Sequence, residues 1–322
     1  MTRKTFLLIT LLLLLIAGCD TQDTPPVELP TTPPTTEPIP PDIPLTGPIV
    51  LIDGLDRTVE LAQPATAIVT LGPSSLESLF AIGAGDTIVG REEFSTYPDE
   101  AKDITSVGNI WEGLPSEAIV ALEPDLVIAP QIISPEQVTA LENLGLMVFW
   151  QANPDDFEGL YTNLTELATL TGQEEEAVTV IEAISQRAAV VEALIATIAH
   201  RPTVFYELDA TDLLNPYTTG GGTFIDTLIT MAGGVNIGAV LEGDYAMISS
   251  EEVILQNPEV IILADAPYLT ESVDTRPGWN VIAAVQNGRV YPFDPFLVSV
   301  PGPRMIDGLE AMAKLLHPDL FK

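Results

Sequence analysis

Ser116-Glu117-Ala-Ile-Val-Ala-Leu-Glu-Pro124-Asp-Leu-Val-Ile128 recurs later in the chain as Ser250-Glu251-Glu-Val-Ile-Leu-Gln-Asn-Pro258-Glu-Val-Ile-Ile262. Each copy reads as a short helix, capped by its Ser, which a proline ends before a buried strand. An aromatic residue stands at the same distance before the Glu of each copy, Trp111 in one and Tyr245 in the other. A second pair of segments runs in the same order. Ser75-Leu-Glu77-Ser-Leu-Phe-Ala-Ile-Gly-Ala-Gly85 parallels Thr223-Phe-Ile-Asp226-Thr-Leu-Ile-Thr-Met-Ala-Gly-Gly234. Two motifs repeated in one order predict two lobes built to one plan.

Around these motifs, short β-rich runs alternate with helical patterns. Strands are expected at 67–71, 88–90, 126–129 and 147–150, with helices at 75–82, 116–122 and 135–143. Strands resume at 203–207, 260–263 and 289–291. Such alternation implies a mainly parallel sheet in each half, covered on both faces. Between the halves, Gln173 to His200 contains no Pro or Gly, and Val178, Ile181, Ala188, Val191, Leu194, Ile195 and Ile198 fall near helical spacing. One helix of about 42 Å is expected there, ended by Arg201-Pro202. The fold class is therefore α/β: two Rossmann-like lobes with mainly parallel sheets, joined by one long α-helix, with a ligand cleft between them. A single helical connection makes a stiff hinge, so the cleft is expected to be largely pre-formed.

The front of the chain is different material. Arg3 and Lys4 precede the apolar run Phe6 to Ile16, and small residues lead into Cys19. That run is too short to span a bilayer and reads as a signal segment removed on export. Cys19 is the only cysteine, which rules out a disulfide. Ile16-Ala17-Gly18-Cys19 resembles the bacterial lipobox, which implies cleavage before Cys19 and lipid attached to it. Asp20 to Pro48 is rich in Pro and Thr and cannot bury enough apolar surface to fold. At about 3.1 Å per residue it would reach roughly 80–90 Å as an extended tether. The expected organisation is residues 1–18 signal peptide, 19–48 lipidated Cys and tether, 49–171 first lobe, 172–200 linking helix and 201–322 second lobe.

A net charge of −34 excludes nucleic acid and anionic lipid as direct partners. The two histidines, His200 and His317, and the absence of a second cysteine argue against a metal site or an intrinsic cofactor. An α/β enzyme is a poor fit: there is no nucleophile elbow, no phosphate loop and no histidine near a plausible nucleophile. Gly220-Gly-Gly222 before a helix is a weak anion-cradle signal.

This plan resembles the helix-linked substrate-binding proteins of ABC importers for vitamin B12, haem and iron-siderophores, from residue 64 to the end. The motifs that carry the resemblance are Glu117-Ala-Ile-Val-Ala-Leu-Glu-Pro-Asp-Leu-Val-Ile and Arg276-Pro-Gly-Trp-Asn-Val-Ile followed by Asn287-Gly-Arg-Val-Tyr291. Phe94-Ser-Thr-Tyr97-Pro-Asp and Trp111-Glu-Gly113 are closest to the cobalamin-binding branch. The resemblance implies a monomeric, non-catalytic carrier, lipid-anchored on the extracytoplasmic face of the cell membrane. It would deliver its ligand to an ABC permease dimer with cytoplasmic ATPases. Surface glutamates on the two lobes, Glu117 and Glu251, would dock on that permease, with Glu77 as a rival in the first lobe, although its helical pattern suggests packing beside Leu76 and Leu79. A Glu at either helix start is also what the helix dipole favours.

A corrin ring is a mostly apolar disc with amide fringes, so its site needs flat aromatic contacts and a few hydrogen-bonding groups. The matching positions are Phe94, Trp111, Tyr245 and Asp294, with Tyr217 and Phe296 as further candidates; Phe94 and Tyr97 read equally as core packing, and Asp294 as a solvated turn residue. Arg304 would line the cleft or pair with an acid. Pro130 stands where the cobalamin branch has Trp, and Tyr97, Tyr217 and Tyr245 keep haem open. A ferric siderophore is the other alternative ligand, and a ligand sensor is the alternative role.

Overall fold

The computed structural model describes residues 47–264 and 273–321. Cys19, the signal segment and nearly all of the expected tether lie outside the described residues. An antiparallel hairpin, β1 (Ile49–Ile52) and β2 (Thr58–Leu61), opens the described chain. The first lobe follows as β3 (Ile68–Thr70), α1 (Pro73–Ala81), β4 (Ile88–Glu92), β5 (Ser106–Gly108), α2 (Ser116–Ala121), β6 (Leu126–Pro130), α3 (Pro135–Glu142) and β7 (Val148–Gln151). Its sheet has the order β5-β4-β3-β6-β7, and every neighbouring pair is parallel.

Two helices, α4 (Phe157–Thr171) and α5 (Glu174–Ile195), lead to the second lobe. There β8 (Thr203–Asp209), β9 (Tyr217–Thr219), α6 (Phe224–Met231), β10 (Val235–Asn236), β11 (Tyr245–Met247), α7 (Ser250–Gln256), β12 (Val260–Leu263), α8 (Ala283–Gln286), β13 (Val290–Pro292) and α9 (Met305–Leu316) succeed one another. The sheet order is β11-β9-β8-β12-β13, with β10 also on β8. β8, β10, β12 and β13 run parallel, while β9 and β11 add an antiparallel edge.

Successive side chains of a strand point to opposite faces, and these strands are apolar on both. Ile68, Leu126, Ile128 and Phe149 of the first lobe, with Val204, Tyr206, Val260 and Ile262 of the second, belong to one continuous core. The same core takes in buried residues of α1, α4, α5, α6 and α9. Val69, Val127, Ala129 and Val148 face a second core with α2 and α3. Phe205, Ile261 and Leu263 face a third, with Trp279. Each fully buried Leu, Ile or Phe stabilises by about 1.5–3 kcal/mol. The shared core is what joins the lobes, and α5 runs through it rather than standing free.

The sequence repeat is a structural repeat at atomic level. Glu123 and Asn257, in matching positions, both take left-handed backbone, φ 47° and 48°. Asp125 and Glu259, which follow the prolines, accept the backbone N–H of Ala67 and Thr203, each at 3.1 Å. In return, the N–H groups of Asp125 and Glu259 donate to the carbonyls of those same residues. The acid after each proline thus ties a helix–strand junction to the start of the lobe's central strand.

Two local expectations are corrected. Ser116 and Ser250 do not cap their helices; each is the first helical residue. The cap of α7 is Ser249, whose hydroxyl accepts the N–H of Glu252 at 3.1 Å. Pro115 precedes α2 and offers no capping side chain. The linking helix ends at Ile195, short of His200. There the hydroxyl of Thr197 donates to the Leu194 carbonyl at 2.7 Å, and the N–H groups of Thr197 and Ile198 turn to the carbonyls of Leu194 and Ile195. That tighter turn releases the chain, and His200 contacts Glu259 at 2.9 Å.

Candidate ligand-binding cleft and helix ends

A cleft of about 570 Å³ lies between the lobes. Its first-lobe wall is built from chain just past the strands: Gly72 to Ser74 after β3, Phe94 after β4, Trp111 after β5, Ile132 after β6 and Asn153 after β7. The second lobe contributes Leu208 at the end of β8, Phe224 and Ile225 at the start of α6, Tyr245 on β11, and Ser299 and Pro301. In parallel sheets the carboxyl ends of the strands are where the chain turns away and leaves a crevice. Here the two lobes turn those ends toward one another.

Three of the six expected contact residues meet in this cleft: Phe94, Trp111 and Tyr245. They are 56%, 69% and 49% exposed, so large aromatic surfaces stand unburied on both walls. Each is held by its backbone. The Glu92 carboxylate accepts the N–H of Phe94 at 2.9 Å and the hydroxyl of Ser95 at 2.6 Å. Arg91, buried beside it, donates to the carbonyls of Ala101, Glu92 and Glu93 and fastens the same loop. The Asn109 side chain accepts the Trp111 N–H at 2.8 Å, and Gly113 takes φ 129°, where a side chain would strain the turn.

Tyr245 sits on the antiparallel edge opposite Thr219. Although half of its surface is open, partial desolvation, with Asp244 and Asp155 nearby, pushes its phenol above the usual tyrosine value. The edge closes tightly: a Cβ on Gly220 would meet the Gly243 carbonyl oxygen at 2.1 Å, and one on Gly221 that of Ala239 at 2.7 Å. The Gly222 N–H donates to the Asp226 carboxylate at 3.0 Å. The triple glycine therefore permits close backbone packing, and its helix entrance already holds an acid; it is not an open anion cradle.

Asp294, Tyr217 and Phe296 are exposed but are not among the residues lining the cleft. Asp294 accepts the Phe296 N–H at 3.0 Å and caps the short turn Pro295–Leu297. Sequence reasoning passed over Glu92, Leu208, Phe224 and Ser299. Glu92 alone left a trace, as an acid ending a strand directly before an aromatic loop. Arg304 pairs with an acid, and that acid is Glu77: two hydrogen bonds of 2.8 and 2.6 Å cross from one lobe to the other. Glu77 is thereby buried and is not a surface group. Tyr97 lies under the same guanidinium, 4.0 Å from ring centroid to Cζ, and lines a separate cavity beside α5.

Glu117 and Glu251 occupy the first turns of α2 and α7, and both are exposed. Neither makes an ion pair among the described residues. The α7 end is braced from below: the buried Ser250 hydroxyl accepts the Trp279 indole N–H at 2.5 Å. Arg276 lies over that indole, 4.6 Å from the ring centroid, and closes on Glu207 with bonds of 2.5 and 2.8 Å.

The family described as periplasmic binding protein matches residues 68–296. The chain belongs to that family. It is 29% identical over 280 residues to a Bacillus subtilis protein named as an uncharacterized ABC transporter substrate-binding lipoprotein, YvrC, covering 85% of this chain and 87% of the relative. It is 31% identical over 282 residues to a cobalamin-binding protein of Halobacterium salinarum, covering 84% and 74%. Among solved structures, the periplasmic heme-binding protein RhuT from Roseiflexus sp. RS-1 superposes with a TM-score of 0.71 at 24% identity, covering 80% and 99%, a likeness of fold. The family is one of ABC-transporter substrate-binding proteins, which deliver a small molecule to a permease. No helix among the described residues is long and apolar enough to cross a membrane.

Proposed function

We propose that this periplasmic binding protein captures cobalamin or a related corrinoid in the interlobe cleft. It then delivers the ligand to an ABC permease through Glu117 and Glu251, while a lipid on Cys19 keeps it at the membrane. The observation that carries the ligand assignment is the set of exposed aromatic faces on opposing walls, Phe94 and Trp111 from one lobe and Tyr245 from the other. A flat, mostly apolar macrocycle covers such faces from both sides. The 31% identity to a cobalamin-binding protein supports the same ligand. Two exposed carboxylates at equivalent helix starts suit docking, since charged pairs across an interface set register and steer encounter.

Haem is the second reading, favoured by Tyr245, a phenol inside the cleft. Ligation of haem iron through tyrosine takes the phenolate. Trp111 is exposed, whereas Trp150 and Trp279 are buried, so cleft binding has its own reporter. Titrating the purified domain with cyanocobalamin should quench tryptophan fluorescence and raise the melting temperature. The quench should shrink in Trp111→Phe. If haemin changes both readouts and cyanocobalamin neither, the corrinoid assignment is wrong. Charge reversal at Glu117 and Glu251 should abolish uptake while binding persists; lost binding would place those residues in ligand recognition instead.

A further inference from the structure

Among the described residues, the interlobe cleft is lined by no Lys, Arg or His, and Glu92 is its one acidic side chain. The arginines of the fold are engaged elsewhere. Arg276 closes on Glu207, Arg304 on Glu77, and Arg187 on Asp307 and Glu310. Arg91 spends its guanidinium on backbone carbonyls. Residues 265–272, outside the described structure, include Asp265 and Glu271 and no basic residue.

Glu92 is 2% exposed, and no cation pairs with it among the described residues. A carboxylate offers about four acceptor positions. The N–H of Phe94 and the hydroxyl of Ser95 use one each, which leaves acceptor capacity on a group that lines the cleft. An anionic ligand entering here would shed its water beside a carboxylate and find no countercharge, a costly arrangement. The whole-chain charge of −34 adds repulsion at long range. A ligand edge carrying N–H or O–H groups meets an acceptor instead.

We infer that this cleft selects uncharged or cationic ligands with hydrogen-bond donors at their edge, rejects anionic ones, and uses Glu92 as the discriminating residue. The inference rests on the cleft being the ligand site, but not on the ligand being a corrinoid. The test compares cyanocobalamin with its monocarboxylate, in which one peripheral amide is hydrolysed, so that size is kept and one negative charge is added. Wild-type protein should bind the acid at least about tenfold more weakly. In Glu92→Gln, with melting curves confirming the fold, the ratio of the two affinities should fall toward one. Equal affinities in the wild type would overturn the charge rule. A variant that weakens both ligands alike, leaving the ratio unchanged, would show Glu92 to be merely structural. If neither corrinoid binds, the corrinoid reading fails on its own, and the charge rule is read from melting shifts with cationic ferrioxamine B and anionic haemin. A shift with ferrioxamine B alone supports it; a shift with haemin overturns it.

Discussion

The two lobes share a frame and differ at their edges. In both, a short helix ends in a left-handed residue, a proline follows, and the next acid ties the junction to the central strand. That common frame places Glu117 and Glu251 at equivalent helix starts. Away from it the lobes diverge. The first has a parallel sheet whose trailing loops carry Phe94 and Trp111, whereas the second adds the antiparallel β9 and β11 and sets Tyr245 on that edge. Below α7 the second lobe also has the Glu207–Arg276–Trp279–Ser250 stack, while α2 is seated by Ile119 in an apolar core. Repetition thus accounts for the outward helix ends, and divergence for the cleft.

The largest expected effect lies in that stack. Arg276→Met removes one partner of an ion pair in which both side chains are essentially inaccessible, 1% and 0% exposed. Leaving Glu207 buried without its guanidinium should cost about 3–5 kcal/mol in urea unfolding. A loss below about 1 kcal/mol would mean that the second lobe does not depend on the pair, and the contrast with the first lobe would weaken.

The frame was legible because it is local. Apolar runs such as Val260–Leu263 and the proline after each helix mark strand and junction without tertiary information. Helix α4 was also written in the chain but went unread: Asp156 caps it, and Gly172 ends it in left-handed backbone, φ 71°. The edges were not legible in the same way. β9 and β11 are short strands defined by pairing to β8 and to each other, and nothing within three residues announces a partner. Helical spacing placed Glu77 beside Leu76 and Leu79, where it is buried, but its partner was not legible, because Arg304 lies far along the chain in the other lobe. Asp294 read equally as a ligand contact and as a turn residue, because an aspartate before Pro-Phe looks the same whether it faces a ligand or caps its own turn.

A smaller effect sharpens the comparison of the helix starts. Ser249→Ala removes a true cap from α7 and should cost about 1 kcal/mol. Ser116→Ala, at the first helical position of α2, should stay within about 0.5 kcal/mol. Equal costs would restore the simpler picture of two identically capped helices.

The smallest effect concerns the bond that crosses between the lobes. Burial raises the Glu77 carboxyl above its usual value, against the lowering influence of Arg304. Between the unfolded and folded pKa values the native state then holds the extra proton, so this group's contribution to stability falls as pH rises through that window. Glu77→Gln should remove that slope. Wild-type stability minus that of the variant should therefore decline with rising pH across the window; a rising difference would mean that pairing outweighs burial.

In this reading one ligand is held jointly by unlike edges of two like lobes. The most direct test is the affinity for cyanocobalamin of the wild type, Trp111→Ala and Tyr245→Ala, measured by calorimetry. Both substitutions should weaken binding at least about tenfold, because each strips an aromatic face from a different wall. Full affinity in either variant, with the other impaired, would place the ligand on one lobe alone and contradict the account.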